Sequence, residues 1–120
     1  MIMPGRLTTH VLDTATGKPA VGLTLRLYRL DAGNRALVAA VSTNSDGRVD
    51  APLLTPETMT PGVYEIEFDA GAYLRSSGVS LPTFPFLDVV PIRFGITDVT
   101  QHYHVPLLLS PYSYATYRGS

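Results

Sequence analysis

Leucines recur at every second position in Leu23-Thr24-Leu25-Arg26-Leu27-Tyr28-Arg29-Leu30. Strand side chains alternate between two faces, so Leu23, Leu25 and Leu27 point to one core while Thr24, Arg26 and Tyr28 point away; a helix would scatter those leucines around its circumference. The alternation returns in Val63-Tyr64-Glu65-Ile66-Glu67-Phe68. It sets Tyr64, Ile66 and Phe68 on an apolar face and leaves Val63, Glu65 and Glu67 on a wet one. Leu7 to Asp13 is another β-rich run, ended by the turn formers of Asp13-Thr14-Ala15-Thr16-Gly17-Lys18-Pro19. Ala36 to Thr43 reads as a strand leading into Asn44-Ser45-Asp46-Gly47, whose Asp-Gly pair favours a tight turn and fixes the direction in which Arg48 leaves it.

Ala51 to Gly62 contains three prolines and is expected to be irregular. Ala70 to Ser77 is the one helical segment, two turns at most, stopped by Gly78. Beyond it the pattern is again β: Asp88 to Ile96 carries Pro91, which cannot donate to a ladder and belongs at an edge or bulge. His102 to Leu109 and Tyr112 to Tyr117 are predicted to close the chain as a hairpin around Ser110-Pro111. Ten Gly and ten Pro punctuate these short segments throughout, without repeat or low-complexity tract, which is the pattern of an all-β domain.

The length of 120 residues suits one domain spanning 1–120. With 45% hydrophobic and only 16% charged residues the chain lies far from the disordered class, and the low charged share suggests apolar surface buried between subunits. Nine Lys and Arg against ten Asp and Glu give a net charge of −1. That balance supplies no broad field for nucleic acid or an anionic membrane, so neither is an expected partner. The absence of cysteine excludes disulfides, thiol nucleophiles and thiolate metal sites. No apolar run approaches the roughly 18 to 20 residues of a membrane span, and Met1 to Leu7 lacks the charged and apolar regions of a signal peptide. The expected location is cytoplasmic.

Three histidines, His10, His102 and His104, are candidates for chemistry. His102 and His104, two apart, share a strand face, and with His10 from another strand they have the ligand types of an open zinc site. The spacing is common, no carboxylate is near in sequence, and idle histidines on a half-exposed strand explain it as well, so neither a metal nor another cofactor is expected. Arg48 is either a solvated turn residue or a clamp for an anion or carbonyl, since guanidinium offers paired donors. Asp13, Asp31, Asp46, Asp69 and Asp88 fall at strand ends or turns and by default serve there. Tyr112, Tyr114 and Tyr117 crowd the last strand, where packing is the simplest role.

Four segments together carry more: Leu7-Thr8-Thr9-His10-Val11-Leu12-Asp13 and its continuation to Ala20, Ser45 to Arg48, His102 to Tyr114, and the terminal Tyr117-Arg118-Gly119-Ser120. In combination, and nearly end to end, they resemble the transthyretin-related 5-hydroxyisourate hydrolases. The resemblance implies a two-sheet transthyretin-like, or prealbumin-like, β-sandwich of eight strands with one short helix. It further implies a homotetramer with active sites at the ends of a central channel, and hydrolysis of 5-hydroxyisourate to 2-oxo-4-hydroxy-4-carboxy-5-ureidoimidazoline in urate degradation. Matched to the family's motifs, the resemblance implies His10, Arg48, His104 and Ser120 as catalytic residues, with His10, Arg48 and Tyr117 binding substrate; His102 lies one pleat from His104 on the same face. Two alternatives share the fold: a small-molecule carrier like transthyretin itself, and a structural module. A carrier needs an apolar channel, whereas these residues form a proton-transfer and anion-binding cluster.

Overall fold

The computed structural model describes residues 5–119. Its elements are β1 (Leu7–Asp13), β2 (Lys18–Pro19), β3 (Thr24–Asp31), β4 (Asn34–Ser42), β5 (Gly62–Asp69), α1 (Ala70–Ser76), β6 (Val89–Ile96), β7 (Tyr103–Ser110) and β8 (Ser113–Thr116). They form two four-stranded sheets, ordered β2-β1-β7-β8 and β4-β3-β5-β6. All pairs are antiparallel except β1 with β7, which run parallel. The expected all-β sandwich with one short helix is what the chain forms.

The period-2 patterns face inward as anticipated. Leu23, Leu25 and Leu27 are fully buried, and the β3–β5 register sets Leu25 opposite Phe68 and Leu27 opposite Ile66. Leu7 and Val11 of β1 and Leu107 and Leu109 of β7 complete the core from the other sheet. Full burial of such a side chain stabilises by about 1.5 to 3 kcal/mol. Pro91 lies on β6, an edge strand, where its missing N–H breaks no interior ladder.

Three expectations need correction. Glu65 is buried: Arg93 donates to its Oε1 at 3.1 Å and Arg35 approaches Oε2 at 3.9 Å, so cross-strand arginines roof the face that alternation marks as wet. Asp69 stands at the N-cap position of α1, but its side chain makes no capping hydrogen bond; its carboxylate takes a paired bond from Arg26 at 2.7 and 3.0 Å, which holds its pKa below the usual 3.8. The last strand starts at Ser113, because Ser110 pairs with Ser113 and spends Pro111 and Tyr112 on the turn. Asp13 does serve a turn, accepting from the Ala15 and Thr16 amides at 3.0 and 3.2 Å. Its other oxygen accepts the Tyr73 hydroxyl at 2.8 Å, tying β1 to α1.

β2 covers only the Leu12–Asp13 end of the free edge of β1. The chain after β4 takes the rest. Val11 donates to the Gly47 carbonyl at 2.8 Å, Leu7 donates to the Leu54 carbonyl at 3.0 Å, and Leu53 donates back to the Leu7 carbonyl at 2.8 Å. This strapping brings the Asp-Gly turn onto the strand that carries His10.

Candidate active site

Local bonds, more than the turn dipeptide alone, set Arg48. The Asn44 carbonyl accepts the Gly47 amide at 3.0 Å, and the Asn44 side-chain oxygen accepts the amides of Asp46 and Arg48 at 2.9 and 3.2 Å. Gly47 has φ +73°, and a Cβ there would collide with the Val11 carbonyl and crowd Pro19. Only glycine lets the turn sit this close to β1. Arg48 then pairs with His10 as an antiparallel bridge and leaves its side chain exposed.

His10 lies on the outward face of β1, half-buried, and its Nε2 donates to the Asp46 carbonyl at 3.0 Å. A carbonyl only accepts, so Nε2 carries the proton and Nδ1 of neutral His10 is left with a lone pair. The parallel β1–β7 register places Thr8 opposite His104 and His10 opposite Pro106. Thr8 and His10 share a face, as do His102 and His104, so the register gathers all four side chains on one outer surface. The rings of His10 and His104 lie 6.5 Å apart.

Behind His104, its Nδ1 is 2.8 Å from the Thr8 hydroxyl, whose other contact is His102 Nε2 at 3.2 Å. The C-terminal segment closes over the same residue: Gly119 donates to the His104 carbonyl at 2.7 Å and accepts from its amide at 3.3 Å. A Cβ on Gly119 would stand 2.9 Å from Cδ2 of the His104 ring. Burial lowers the pKa of His104 below its ordinary 6.5, and the charges of Arg48, His10 and His102 push in the same direction. A neutral imidazole able to exchange protons is the result.

The structure thus brings His10, Arg48 and His104 together. Tyr117 instead lines a groove of about 260 Å³ with Phe94, Tyr103, Val105 and Arg118, and no hydrogen bond among the described residues joins it to the histidines. Ser120 lies outside the described residues. No group of three or more metal-ligating side chains is disposed to hold an ion among the described residues. No helix among them is long and apolar enough to cross a membrane. Thr8, Asn44 and Gly119 are site residues that the sequence reading left unassigned. Thr8 had a signal, since it shares a strand face with His10, but its partners depend on a register that one strand does not contain.

Comparison with known proteins shows the family to which the chain belongs. The chain is 61% identical, over the full length of both chains, to 5-hydroxyisourate hydrolase 2 of Rhizobium meliloti. It is 61% identical over 116 residues to the 5-hydroxyisourate hydrolase of Mesorhizobium japonicum, covering 97% of this chain and 93% of that one. Among solved structures, Klebsiella pneumoniae 5-hydroxyisourate hydrolase superposes with a TM-score of 0.79 at 33% identity, covering 97% of this chain and 99% of that one. Sea bream transthyretin in complex with thyroxine gives 0.84 at 32% identity, covering 95% and 94% of the two chains. The profile of the HIUase/Transthyretin family matches residues 7–119, from the first residue of β1 to the glycine that closes over His104, and the chain belongs to that family.

Proposed function

We propose that the protein hydrolyses 5-hydroxyisourate to 2-oxo-4-hydroxy-4-carboxy-5-ureidoimidazoline, opening a cyclic amide with water in urate degradation. The observation that carries this reading is the convergence of two imidazoles and a guanidinium, His10, His104 and Arg48, on one outer face of the β1–β7 pair. The two most similar relatives described above bear the hydrolase name over essentially the whole chain. The sandwich is shared with transthyretin, which holds thyroxine, so the fold does not separate catalysis from carriage. A cluster of proton-transfer and anion-binding groups favours catalysis, and no observation here favours the carrier.

In this reading His104, with His10 beside it, takes a proton from the attacking water and returns one to the leaving nitrogen. Its depressed pKa keeps it unprotonated, and so able to accept, at neutral pH. Arg48 orients the ionisable substrate and stabilises the negative charge that develops on the attacked carbonyl oxygen. Ser120, next along from Gly119, positions water or substrate through its hydroxyl, and Tyr117 offers its own from the groove it lines with Arg118. Water is the only co-reactant such a step needs.

The working form in this reading is a cytoplasmic homotetramer with its sites at subunit interfaces. Support comes from the low charged share and from large apolar side chains left in water on the single chain, notably Phe84 at 88% and Phe86 at 70% exposure. The direct test generates 5-hydroxyisourate in situ with urate oxidase and follows its ultraviolet decay with and without the protein. Accelerated decay is expected. A rate equal to the spontaneous one overturns the proposal.

A further inference from the structure

The Thr8 hydroxyl has one hydrogen to give and faces two imidazole nitrogens, His104 Nδ1 at 2.8 Å and His102 Nε2 at 3.2 Å. It donates to one and accepts from the other, so using its full capacity requires one of those nitrogens to be bare and the other protonated. His102 has no second anchor, because its Nδ1 is buried without a hydrogen-bond partner among the described residues. A ring held at that cost calls for a reason beyond packing. Resting on the reading of the site as a hydrolase, we propose that Thr8 is a positioning residue that couples the tautomers of His102 and His104, letting His104 alternate between accepting and donating a proton at Nε2.

The balance of protons is closed. In one state His104 Nδ1–H donates to Thr8, Thr8 donates to His102 Nε2, and His104 Nε2 is a bare base. As water attacks, its O–H bond breaks and the proton joins His104 Nε2. The Nδ1 proton moves to Thr8, and the Thr8 proton moves to His102 Nε2. His104 is then neutral again but reversed, with Nε2–H poised as an acid, and the positive charge rests on His102. When Nε2–H passes to the leaving nitrogen, the chain runs back and returns the Nδ1 proton, so no other donor or acceptor is consumed. One imidazole thereby performs both transfers. The charged and titratable groups facing this chain are His10 on β1, Arg48 on the turn and Arg118 on the C-terminal segment, whose guanidinium donates to the His102 carbonyl at 3.3 Å.

Long-range proton–nitrogen NMR of the histidine-labelled full chain at about pH 8, above the ordinary imidazole pKa, reads the tautomers directly. The expected result is opposite protonation at His104 Nδ1 and His102 Nε2, retained in Thr8→Ser and lost in Thr8→Val. Protonation of both facing nitrogens, or ring spectra unchanged by Thr8→Val, overturns the proposal. In the decay assay Thr8→Val should lose about tenfold in kcat with KM nearly constant, Thr8→Ser should recover most of it, and His102→Gln should add little to Thr8→Val. Losses that multiply in the double variant, or full kcat in Thr8→Val, also overturn it. If Thr8→Val does not fold, the wild-type and Thr8→Ser spectra decide. Absence of wild-type hydrolysis overturns the assigned reaction, while the spectra still judge the coupling.

Discussion

His104 lies at the centre of the site because its surroundings oppose its charged form from several directions. Burial acts first, and the cationic Arg48 with the neighbouring His10 and His102 adds to it. A group whose folded pKa lies below 6.5 stays neutral as pH falls past that value, so the acid limb of kcat/KM should lie below 6.5. Measured pH–rate profiles check this, and Arg48→Gln should move the limb upward by removing one of the charges. A wild-type limb at or above 6.5 would contradict the assignment of His104 as the base. Folding follows the same sign: between His104's folded pKa and 6.5 the unfolded chain takes up protons that the native site refuses, and this contribution to stability declines as pH drops through that window. Substitution separates the roles. His104→Asn cannot shuttle protons and should cost about 10² to 10⁴ in kcat, whereas His102→Asn, acting one bond further away, should cost about tenfold. Equal losses, after correction for spontaneous substrate decay, would place the base on the other histidine.

Elements hold these residues through contacts at their ends. Gly119 lies against the His104 ring, where a methyl group would meet Cδ2 at 2.9 Å, so Gly119→Ala should displace the imidazole and lower kcat by about 10- to 100-fold while leaving the melting temperature nearly unchanged. A rate within twofold of wild type would show that the segment yields instead. At the other end of β1, the buried Asp13 carboxylate binds the turn amides and the Tyr73 hydroxyl, whose pKa is pushed up to about 12, first by burial and then by that bond. Tyr73→Phe leaves one Asp13 oxygen unpaired and should destabilise by about 1 to 3 kcal/mol, read from urea denaturation midpoints. Legibility in the sequence differs between these elements for physical reasons. The inward faces of β3 and β5 are written in their own period because burial selects apolar residues at alternate positions. The burial of Glu65 is not, since the roof that covers it comes from Arg93 on β6 and Arg35 on β4.

On the scale of the whole molecule, the single chain leaves aromatic surface unused: Phe86 and Tyr112, both exposed, lie with ring centroids 6.1 Å apart, joining the loop before β6 to the β7–β8 turn. Contiguous apolar surface of this kind is usually covered by a partner. For the homotetramer proposed above, light scattering should give about four times 13.0 kDa, and a fully active particle of 13.0 kDa would refute an interfacial site. The sequence by itself determined the all-β class, the short helix and the tight turn before Arg48, because alternation, glycine and proline act within a few residues of chain, while the two-sheet sandwich was implied by the family resemblance of its motifs. Through its motifs it also marked His10, Arg48 and His104 as candidates. Tertiary structure alone decided that Thr8 stands opposite His104, that the loop after β4 straps Arg48 to β1, and that Gly119 seals the site. These contacts join residues 15 (Gly119 and His104), 38 (Arg48 and His10) and 96 (Thr8 and His104) positions apart, and they rest on a parallel register and on hydrogen bonds between elements, which no local pattern encodes.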